Sequence, residues 1–292
     1  MTGRVFDYGP CSDDYDVLLI AGPVFDRDFA SQHGRLLETA RRDGKAIVLA
    51  SIGGRAYDAE ERRVVRDVLS KVRPDIFLSR DNETFQAYSD LTRAPFNGIC
   101  FAFFANDALD ASGRVRLSVD EYIVSTFDFR PEPKLNELLS RGPSGEIFVR
   151  GALDPGRTVD RLSRAGFVLQ RDLPAVIDGV SIVRPSQRPI RHRRFMFHKV
   201  NAFVDFSVWP YLNLYAGSSL TVTDRLHAAV ATMVHGRPAK LALKSNRTKL
   251  FGQVPLVDNG RGANVLNMEA LSEIKGRQLQ FLGDSLAGLS ND

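Results

Sequence analysis

The chain of 292 residues is 43% hydrophobic and 25% charged, an ordinary globular composition that excludes intrinsic disorder and a coiled coil. Its formal net charge of +4 is too small to favour a nucleic-acid-binding protein, although it is compatible with anionic ligands. With Cys11 and Cys100 as the two cysteines and no apolar run of membrane-spanning length, we predict no disulfide framework, no metal site and a cytoplasmic location.

The first half of the chain alternates apolar runs with amphipathic segments, which is typical of a parallel sheet with right-handed crossovers. The predicted strands lie at 15–21, 46–50, 76–79, 98–105 and 121–127, and the predicted helices at 29–42 and 59–72. Ligands of such sheets bind beyond the carboxyl ends of the strands. Gly53, Gly54 and Arg80 follow predicted strands and are therefore candidate ligand contacts. A salt bridge from Arg80 to Asp81 or Glu83 is an equally good interpretation.

The second half repeats the alternation after a proline-containing hinge at 128–133. The predicted helices lie at 134–140, 158–165, 204–215 and 267–289, and the predicted strands at 146–150, 180–184, 219–222, 239–243 and 254–257. We therefore predict an α/β fold of two Rossmann-like domains with parallel sheets, residues 1–130 and 131–292. The last helix could cross back to the first domain.

One stretch, Ser218 to Lys249, concentrates the candidate chemistry. A buried strand is predicted to end at Val222, and Thr223 or Asp224 is predicted to cap a helix that runs to about His235. The first turn of a helix favours an anion, because its backbone N–H groups are unsatisfied and the dipole is positive there.

Arg225 and His227 add a guanidinium and an imidazole at this helix start. An arginine there opposes the dipole, so a bound anion or a partner carboxylate would explain it. Instead of binding an anion, Arg225 could form a surface ion pair with Asp224 or another residue. His227 could be a packed, hydrogen-bonded side chain without a role in binding. For Asp224 itself we expect a structural role, in capping the helix or orienting Arg225.

Two basic segments flank this stretch. Lys244, Arg247 and Lys249 follow the next predicted strand, and we expect one of them to meet an anion, although a solvated basic face is equally consistent with spacing alone. The basic segment 188–194 is either an exposed loop or a point of peripheral contact with an anionic lipid surface.

Residues 223–241, TDRLHAAVATMVHGRPAKL, resemble the C-terminal signature of the polysaccharide pyruvyl transferases. The glycine turn at Gly22, the Ser51-Ile52-Gly53 turn and the Arg80-Asp81 pair are similar, more thinly, to the N-terminal half of that family. The first fourteen residues depart from it, because they supply no clear strand followed by a glycine-rich turn.

The resemblance implies a GT-B-like fold and transfer of the enolpyruvyl group of phosphoenolpyruvate to a sugar, forming a pyruvate ketal. It implies catalytic roles for Arg225 and His227. The implied substrate-binding residues are Arg225, Leu226, His227, Lys244, Arg247, Lys249, Arg80, Gly53 and Gly54. Asp224 would support these residues without contacting the substrate. The partners would be a small-molecule donor and a saccharide or glycolipid acceptor, without a cofactor.

Two other functions remain compatible with the sequence, and no oligomeric state is predicted. A GT-B glycosyltransferase would use Arg225 and a lysine to bind the diphosphate of a nucleotide sugar. A catalytically silent saccharide-binding protein is the other, suggested by the departure at the N-terminus.

Overall fold

The structure of the protein is a computed structural model that describes residues 15–108, 119–127, 131–151, 173–186, 200–243 and 245–289. It is a mixed α/β protein in which the four-stranded sheet is parallel and the larger sheet combines parallel with antiparallel pairings. The chain divides into two compact units, one made of residues 1–100 and 278–292 and the other of residues 101–277. Among the described residues, no helix is both long and apolar enough to cross a membrane.

The first unit contains a four-stranded sheet flanked by helices. Its elements are β1 (Val17–Ala21), a π-helix (Ala30–Gly34), α1 (Arg35–Arg42), β2 (Ala46–Ile52), α2 (Ala59–Val72), β3 (Ile76–Ser79), α3 (Asn82–Tyr88), a 3-10 turn (Ser89–Leu91) and β4 (Ala94–Asn97). The strands stand in chain order, β1-β2-β3-β4, and all three pairings are parallel. The carboxyl ends of the four strands therefore share one edge of the sheet.

The core of this unit forms where one face of the sheet meets α1 and α2. Asp58 begins α2 by accepting a hydrogen bond from the Glu61 N–H at 2.9 Å, as an N-cap does. The helix then buries a stripe of apolar residues, which recur every three or four positions and therefore face the sheet. The stripe consists of Val65, Val68, Leu69 and Val72. Burial of this apolar stripe fixes α2 against the sheet.

The second unit contains an eight-stranded sheet. Its elements are a 3-10 turn (Phe101–Phe104), β5 (Tyr122–Thr126), α4 (Leu135–Leu138), β6 (Leu139–Arg141), β7 (Ile147–Val149), β8 (Val176–Ile177), β9 (Val180–Pro185), β10 (Ala202–Phe203), α5 (Val208–Gly217), β11 (Leu220–Thr223), α6 (Leu226–Met233), β12 (Ala239–Leu241), a 3-10 helix (Asn246–Gln253), β13 (Leu256–Asp258), β14 (Asn264–Leu266) and α7 (Met268–Leu289). The sheet order is β10-β9-β5-β11-β12-β14-β13, with β8 paired to β9, while β6 and β7 form a separate hairpin.

Both faces of the central strands are buried. Along β5, Ile123 packs into one apolar cluster, whereas Tyr122 and Val124 pack into another that includes residues of α5 and α6. Strands buried on both faces are expected to be largely apolar, as the first three residues of β5 are, before the strand ends in Ser125 and Thr126. Pro210 lies in the first turn of α5, where a missing backbone N–H breaks no helical hydrogen bond.

The first part of α7, to Arg277, belongs to the second unit, and the part from Gln278 onward belongs to the first unit. Within the first unit, the buried Gln278 amide accepts a hydrogen bond from the Ile99 N–H at 2.6 Å and donates one to the Ile99 carbonyl at 3.2 Å. Phe281, one turn further on, stacks on Phe96 at 4.6 Å between ring centroids. These contacts fix the last part of α7 against the segment that follows β4.

Several sequence predictions match the structure, including α2 and β3 at their predicted bounds. The strand predicted at 98–105 is wrong, because its aromatic residues form a 3-10 turn. The helix predicted at 134–140 is reduced to the single turn of α4, after which the chain enters β6. The helix at 158–165, the basic segment 188–194 and the domain boundary at 130 lie outside the described residues. Strand β5, predicted ahead of that boundary, pairs with strands of the second sheet.

Gly262 is the position where we expect alanine to destabilise the second unit most clearly. Its φ is +80°, and an added Cβ would collide with the Val149 carbonyl oxygen. Left-handed strain and a steric clash together should lower the free energy of unfolding by about 2–4 kcal/mol for Gly262→Ala. Gly260 in the same loop has a φ of +72° but open space around it, so Gly260→Ala measures the strain alone. Equal losses in urea denaturation would contradict a role for the clash.

Candidate functional site

The order of strands in the second sheet reverses between β5 and β11. From β5 the chain moves outward to β9 and β10, then returns to β11 on the other side of β5 and continues to β12. These five strands pair with one another in parallel, whereas β8 and β14 pair antiparallel with β9 and β12. In doubly wound sheets, ligands bind beyond the carboxyl ends of the strands where the order reverses. The ends of β5 and β11 therefore mark a candidate site, which we call the switch point.

Thr126, Thr223 and Asp224 build the switch point through hydrogen bonds between the two strand ends. The Thr223 hydroxyl donates to the Thr126 carbonyl at 3.0 Å, and the Asp224 N–H donates to the same carbonyl at 3.1 Å. Asp224 is buried, being 1% exposed. These bonds hold the chain that enters α6 against the end of β5.

The N-cap predicted at Thr223 or Asp224 is wrong, because Arg225 is the N-cap residue of α6. The Thr223 hydroxyl instead accepts a hydrogen bond from the Arg225 N–H at 2.8 Å. It therefore satisfies the backbone donor of the N-cap residue itself. Arg225 is half-buried and His227 is exposed, while the Leu226 side chain is buried. A ligand at this helix start can thus meet a guanidinium and an imidazole, and would meet Leu226 only through its backbone.

The basic segment after β12 follows a strand that neighbours β11. The Ala242 N–H donates to the Thr223 carbonyl at 2.7 Å, so the chain leaves β12 at the same edge of the sheet as the start of α6. Arg247 is exposed and Lys249 half-buried in the 3-10 helix that follows, and Lys244 lies outside the described residues. The segment thus supplies further cations at this edge.

Arg80, the candidate of the first unit, directly follows β3 and is 1% exposed. Its Nε and Nη2 are buried and have no hydrogen-bond partner in the described structure. The Asp81 carboxylate, one of the two alternative salt-bridge partners of Arg80, accepts hydrogen bonds from the Thr84 N–H and the Tyr57 hydroxyl, both at 2.8 Å. Arg80 is therefore a buried cation with unused donors.

The two glycines beside Arg80 serve different purposes. A Cβ on Gly53 would lie 2.8 Å from Arg80 Cζ and 2.9 Å from Nη2, and closer still to Nε, so only glycine admits the guanidinium here. The Gly54 N–H donates to Thr84 Oγ1 at 3.1 Å, and a Cβ on Gly54 would meet Glu61 Oε1 at 2.8 Å. Gly53 thus lies against the guanidinium. Gly54 leaves room for the Glu61 carboxylate in the loop between β2 and α2.

Glu61 organises the loop after Gly54. Its buried carboxylate accepts hydrogen bonds from the N–H groups of Ala56 at 2.6 Å and of Tyr57 at 3.0 Å. Burial raises the pKa of Tyr57 well above its usual value, so the phenol keeps its proton and donates to Asp81. The surroundings of Arg80 are therefore a preformed polar cluster within the first unit.

Sequence reasoning identified the start of α6 and Arg80 but missed the end of β5. Thr126 takes part in the switch point, and the Ser125 hydroxyl is buried without a hydrogen-bond partner among the described residues. The polar Ser125-Thr126 pair at the end of an apolar run was the available signal. Its position opposite β11 depends on the strand order, which sequence pattern does not reveal.

No protein-family model, curated protein or solved structure matches the chain. Within the described ranges, no group of three or more His, Cys, Asp or Glu side chains is arranged to hold a metal ion. A functional hypothesis for this protein therefore depends on the geometry and chemistry of the switch point and of the cluster around Arg80.

Proposed function

We propose that the protein is a pyruvyl transferase, which moves the pyruvyl group of phosphoenolpyruvate to two hydroxyls of a saccharide and forms a ketal. The observation that carries the proposal is the coincidence of three features at the switch point. The order of strands reverses there, a helix begins there, and Arg225 is the N-cap residue and His227 the second residue of that helix. Phosphoenolpyruvate carries a phosphate and a carboxylate, both of which suit such a site.

The proposed donor site uses cations from two segments. Arg225 offers a planar fork for one oxyanion, and the N–H groups at the start of α6 favour negative charge. One of Lys244, Arg247 and Lys249, which follow the neighbouring strand in the sequence, supplies charge for the other oxyanion. Asp224 is buried behind this surface and fixes the start of the helix. Charges held in place before the reaction stabilise the departing phosphate without reorganisation.

The reaction needs protons to move at defined atoms. Protonation of C3 converts the methylene group of the enol phosphate to a methyl group and leaves an oxocarbenium-like centre at C2. One acceptor hydroxyl adds to C2, the C2–O bond to phosphate breaks, and the second hydroxyl adds. Two protons leave the hydroxyls, which balances one gained by C3 and one carried away by phosphate. His227 is exposed at the helix start and could transfer one of these protons.

In this proposal the two units are the domains of a GT-B-like enzyme, with the donor on the second unit and the saccharide on the first. Arg80 and Gly53 are then the contacts of the first unit, and no cofactor is needed. A glycosyltransferase is the second candidate, because nucleotides also bind at the switch points of doubly wound sheets.

The proposal is tested by incubating the protein with phosphoenolpyruvate labelled at C2 and a panel of neutral and acidic saccharides. We expect phosphate release that depends on the saccharide, and NMR detection of a ketal carbon in equal amount. The same panel with UDP- and GDP-sugars provides the comparison. Transfer from a nucleotide sugar without ketal formation would replace the proposal with a glycosyltransferase.

A further inference from the structure

The start of α5 exposes a group of large apolar side chains. Phe206 is 85% exposed, Val208 59% and Trp209 50%, all within four consecutive positions. Single exposed apolar residues are common on protein surfaces, whereas an adjacent group of large ones marks a surface that binds another body. We call these three residues the apolar patch.

The outer face of α5 has an unusual composition for a helix at a protein surface. Its sequence, VWPYLNLYAG, contains no charged residue. Tyr211, Leu214 and Tyr215 are buried against the second sheet and account for the inner face. A helix that packs with one face on a core normally carries charged and polar side chains on the other face. The first turn of α5 instead exposes valine and tryptophan.

Hydrogen bonds and packing hold the apolar patch in a fixed position. Ser207 caps α5 by accepting a hydrogen bond from the Trp209 N–H at 3.4 Å, and its own N–H donates to the Asp205 carboxylate at 2.8 Å. The buried Tyr211 ring packs edge-on against Phe203 of β10, with 5.3 Å between the ring centroids. Its hydroxyl accepts a hydrogen bond from the Asp205 N–H at 3.0 Å. The exposed side chains therefore belong to a well-structured surface.

A strongly basic segment of the sequence begins and ends beside the apolar patch. Residues 188–199 contain four arginines and a lysine and no acidic residue, whereas the net charge of the whole chain is +4. Ser186, before this segment, donates its N–H to the Phe203 carbonyl at 3.0 Å, and its carbonyl accepts a hydrogen bond from the Tyr211 hydroxyl. Val200, after the segment, lies two residues before β10. Both ends of the basic segment are therefore fixed close to α5.

Apolar side chains beside positive charge are the combination that an anionic lipid surface binds. Tryptophan and phenylalanine partition into the interfacial region of a bilayer, and arginine and lysine are attracted to its anionic headgroups. We propose that the apolar patch inserts into the interfacial region of an anionic membrane and holds the second unit at that surface.

A lipid surface fits these observations better than other occupants of the apolar patch. Two copies of the chain that met through this patch would bring their basic segments together, and like charges at an interface repel each other. A saccharide would place its hydroxyls beside Val208, whose side chain forms no hydrogen bond. An anionic bilayer accepts the apolar side chains and also attracts the basic segment.

This docking brings the switch point close to the membrane. Strands β10, β9, β5 and β11 pair in parallel, so their carboxyl ends share one edge of the sheet. The apolar patch follows the end of β10, and the start of α6 follows the end of β11. The inference goes beyond the proposed function and does not depend on it, because membrane binding requires neither phosphoenolpyruvate nor a saccharide.

Trp209 is the single tryptophan of the chain, so its fluorescence reports directly on the apolar patch. The test mixes the full chain with vesicles of phosphatidylcholine, alone or together with phosphatidylglycerol. We expect the chain to sediment with the anionic vesicles only, with a shift of its emission to shorter wavelength. Added salt should weaken the binding, because it screens the attraction to the headgroups. The absence of sedimentation, or sedimentation without an emission shift, would overturn the inference.

Variants of the apolar patch test its part in the binding. Phe206→Ser and Trp209→Ser should each weaken binding to the anionic vesicles about tenfold or more. Val257→Ser is the matched control, since its side chain is 47% exposed on β13 of the same unit. All three side chains are exposed, so the unfolding midpoints should stay close to that of the wild type. Equal vesicle binding by the three variants would overturn the inference, because charge alone would then explain it.

The other occupants of the apolar patch give different results. A dimer that forms in analytical ultracentrifugation of the wild type and disappears in Phe206→Ser would assign the patch to a second copy of the chain. A shift of the Trp209 emission on addition of a soluble saccharide, without vesicles, would assign it to a sugar. Either result would overturn the assignment to a membrane.

The vesicle experiment also separates this inference from the proposed function, because it contains no phosphoenolpyruvate. Failure of phosphoenolpyruvate to bind the chain would contradict the proposed function alone. Failure of the chain to bind anionic vesicles would contradict the membrane inference alone.

Discussion

Arg225→Ala is expected to weaken the binding of phosphoenolpyruvate about 100-fold, which corresponds to about 3 kcal/mol. The guanidinium lies at the start of α6, where it would pair with an oxyanion that the helix N–H groups already attract. Arg225→Lys keeps the charge but loses the planar fork, so we expect an intermediate loss of about tenfold. Calorimetric titration of the purified variants measures both effects.

Arg237→Ala is the matched control for this prediction, because Arg237 is an exposed arginine beyond the opposite end of α6. Its removal should leave phosphoenolpyruvate binding unchanged. If Arg225→Ala and Arg237→Ala have equal effects, the interaction is a general attraction to positive charge and the helix start is not the donor site.

Glu132→Ala is expected to lower the free energy of unfolding by about 3–5 kcal/mol, because it leaves the Arg184 guanidinium buried without its carboxylate. Both side chains of this pair are 1% exposed, and Glu132 accepts two of the guanidinium hydrogen bonds. Urea denaturation followed by circular dichroism measures the change. Replacing Arg184 by methionine in the same chain should restore much of the loss, since no unpaired charge then remains.

Glu137→Ala provides the comparison for a carboxylate in an exposed pair. Glu137 contacts Lys134 at 2.9 Å, and their side chains are 64% and 76% exposed. Exposed pairs contribute little to stability, so this variant should unfold close to the wild type. A similar loss in Glu132→Ala and Glu137→Ala would show that burial does not determine the strength of the Arg184 pair.

Local patterns in the sequence were sufficient to predict a helix or strand where its apolar residues recur with a clear period. Helix α2 has a capping aspartate and a regular apolar stripe, and both of its ends were predicted. The strand prediction that covered Phe101–Phe104 failed, because a run of aromatic residues has no hydrophobic period that distinguishes a strand from a turn. This segment forms a 3-10 turn. Short pairings such as β6 with β7 depend on contacts that local propensity does not contain.

The candidate site was predictable only in part, for a related reason. The start of α6 is a local feature, whereas the switch point exists because β11 returns to the side of β5 opposite β9. The surroundings of Arg80 likewise depend on Gly53, which packs against its guanidinium from the turn after β2, and on Tyr57, which donates to the neighbouring Asp81. Sequence could place Arg80 after a strand but could not reveal that its guanidinium is buried against Gly53.

The central claim is that the second unit binds phosphoenolpyruvate, and calorimetric titration of the wild-type chain tests it most directly without requiring the acceptor. Phosphoenolpyruvate, a UDP-sugar and a GDP-sugar are titrated separately under the same conditions. We predict saturable binding of phosphoenolpyruvate and none of either nucleotide sugar. Binding of a nucleotide sugar in its place, or the absence of phosphoenolpyruvate binding, would contradict the assignment of a pyruvyl transferase.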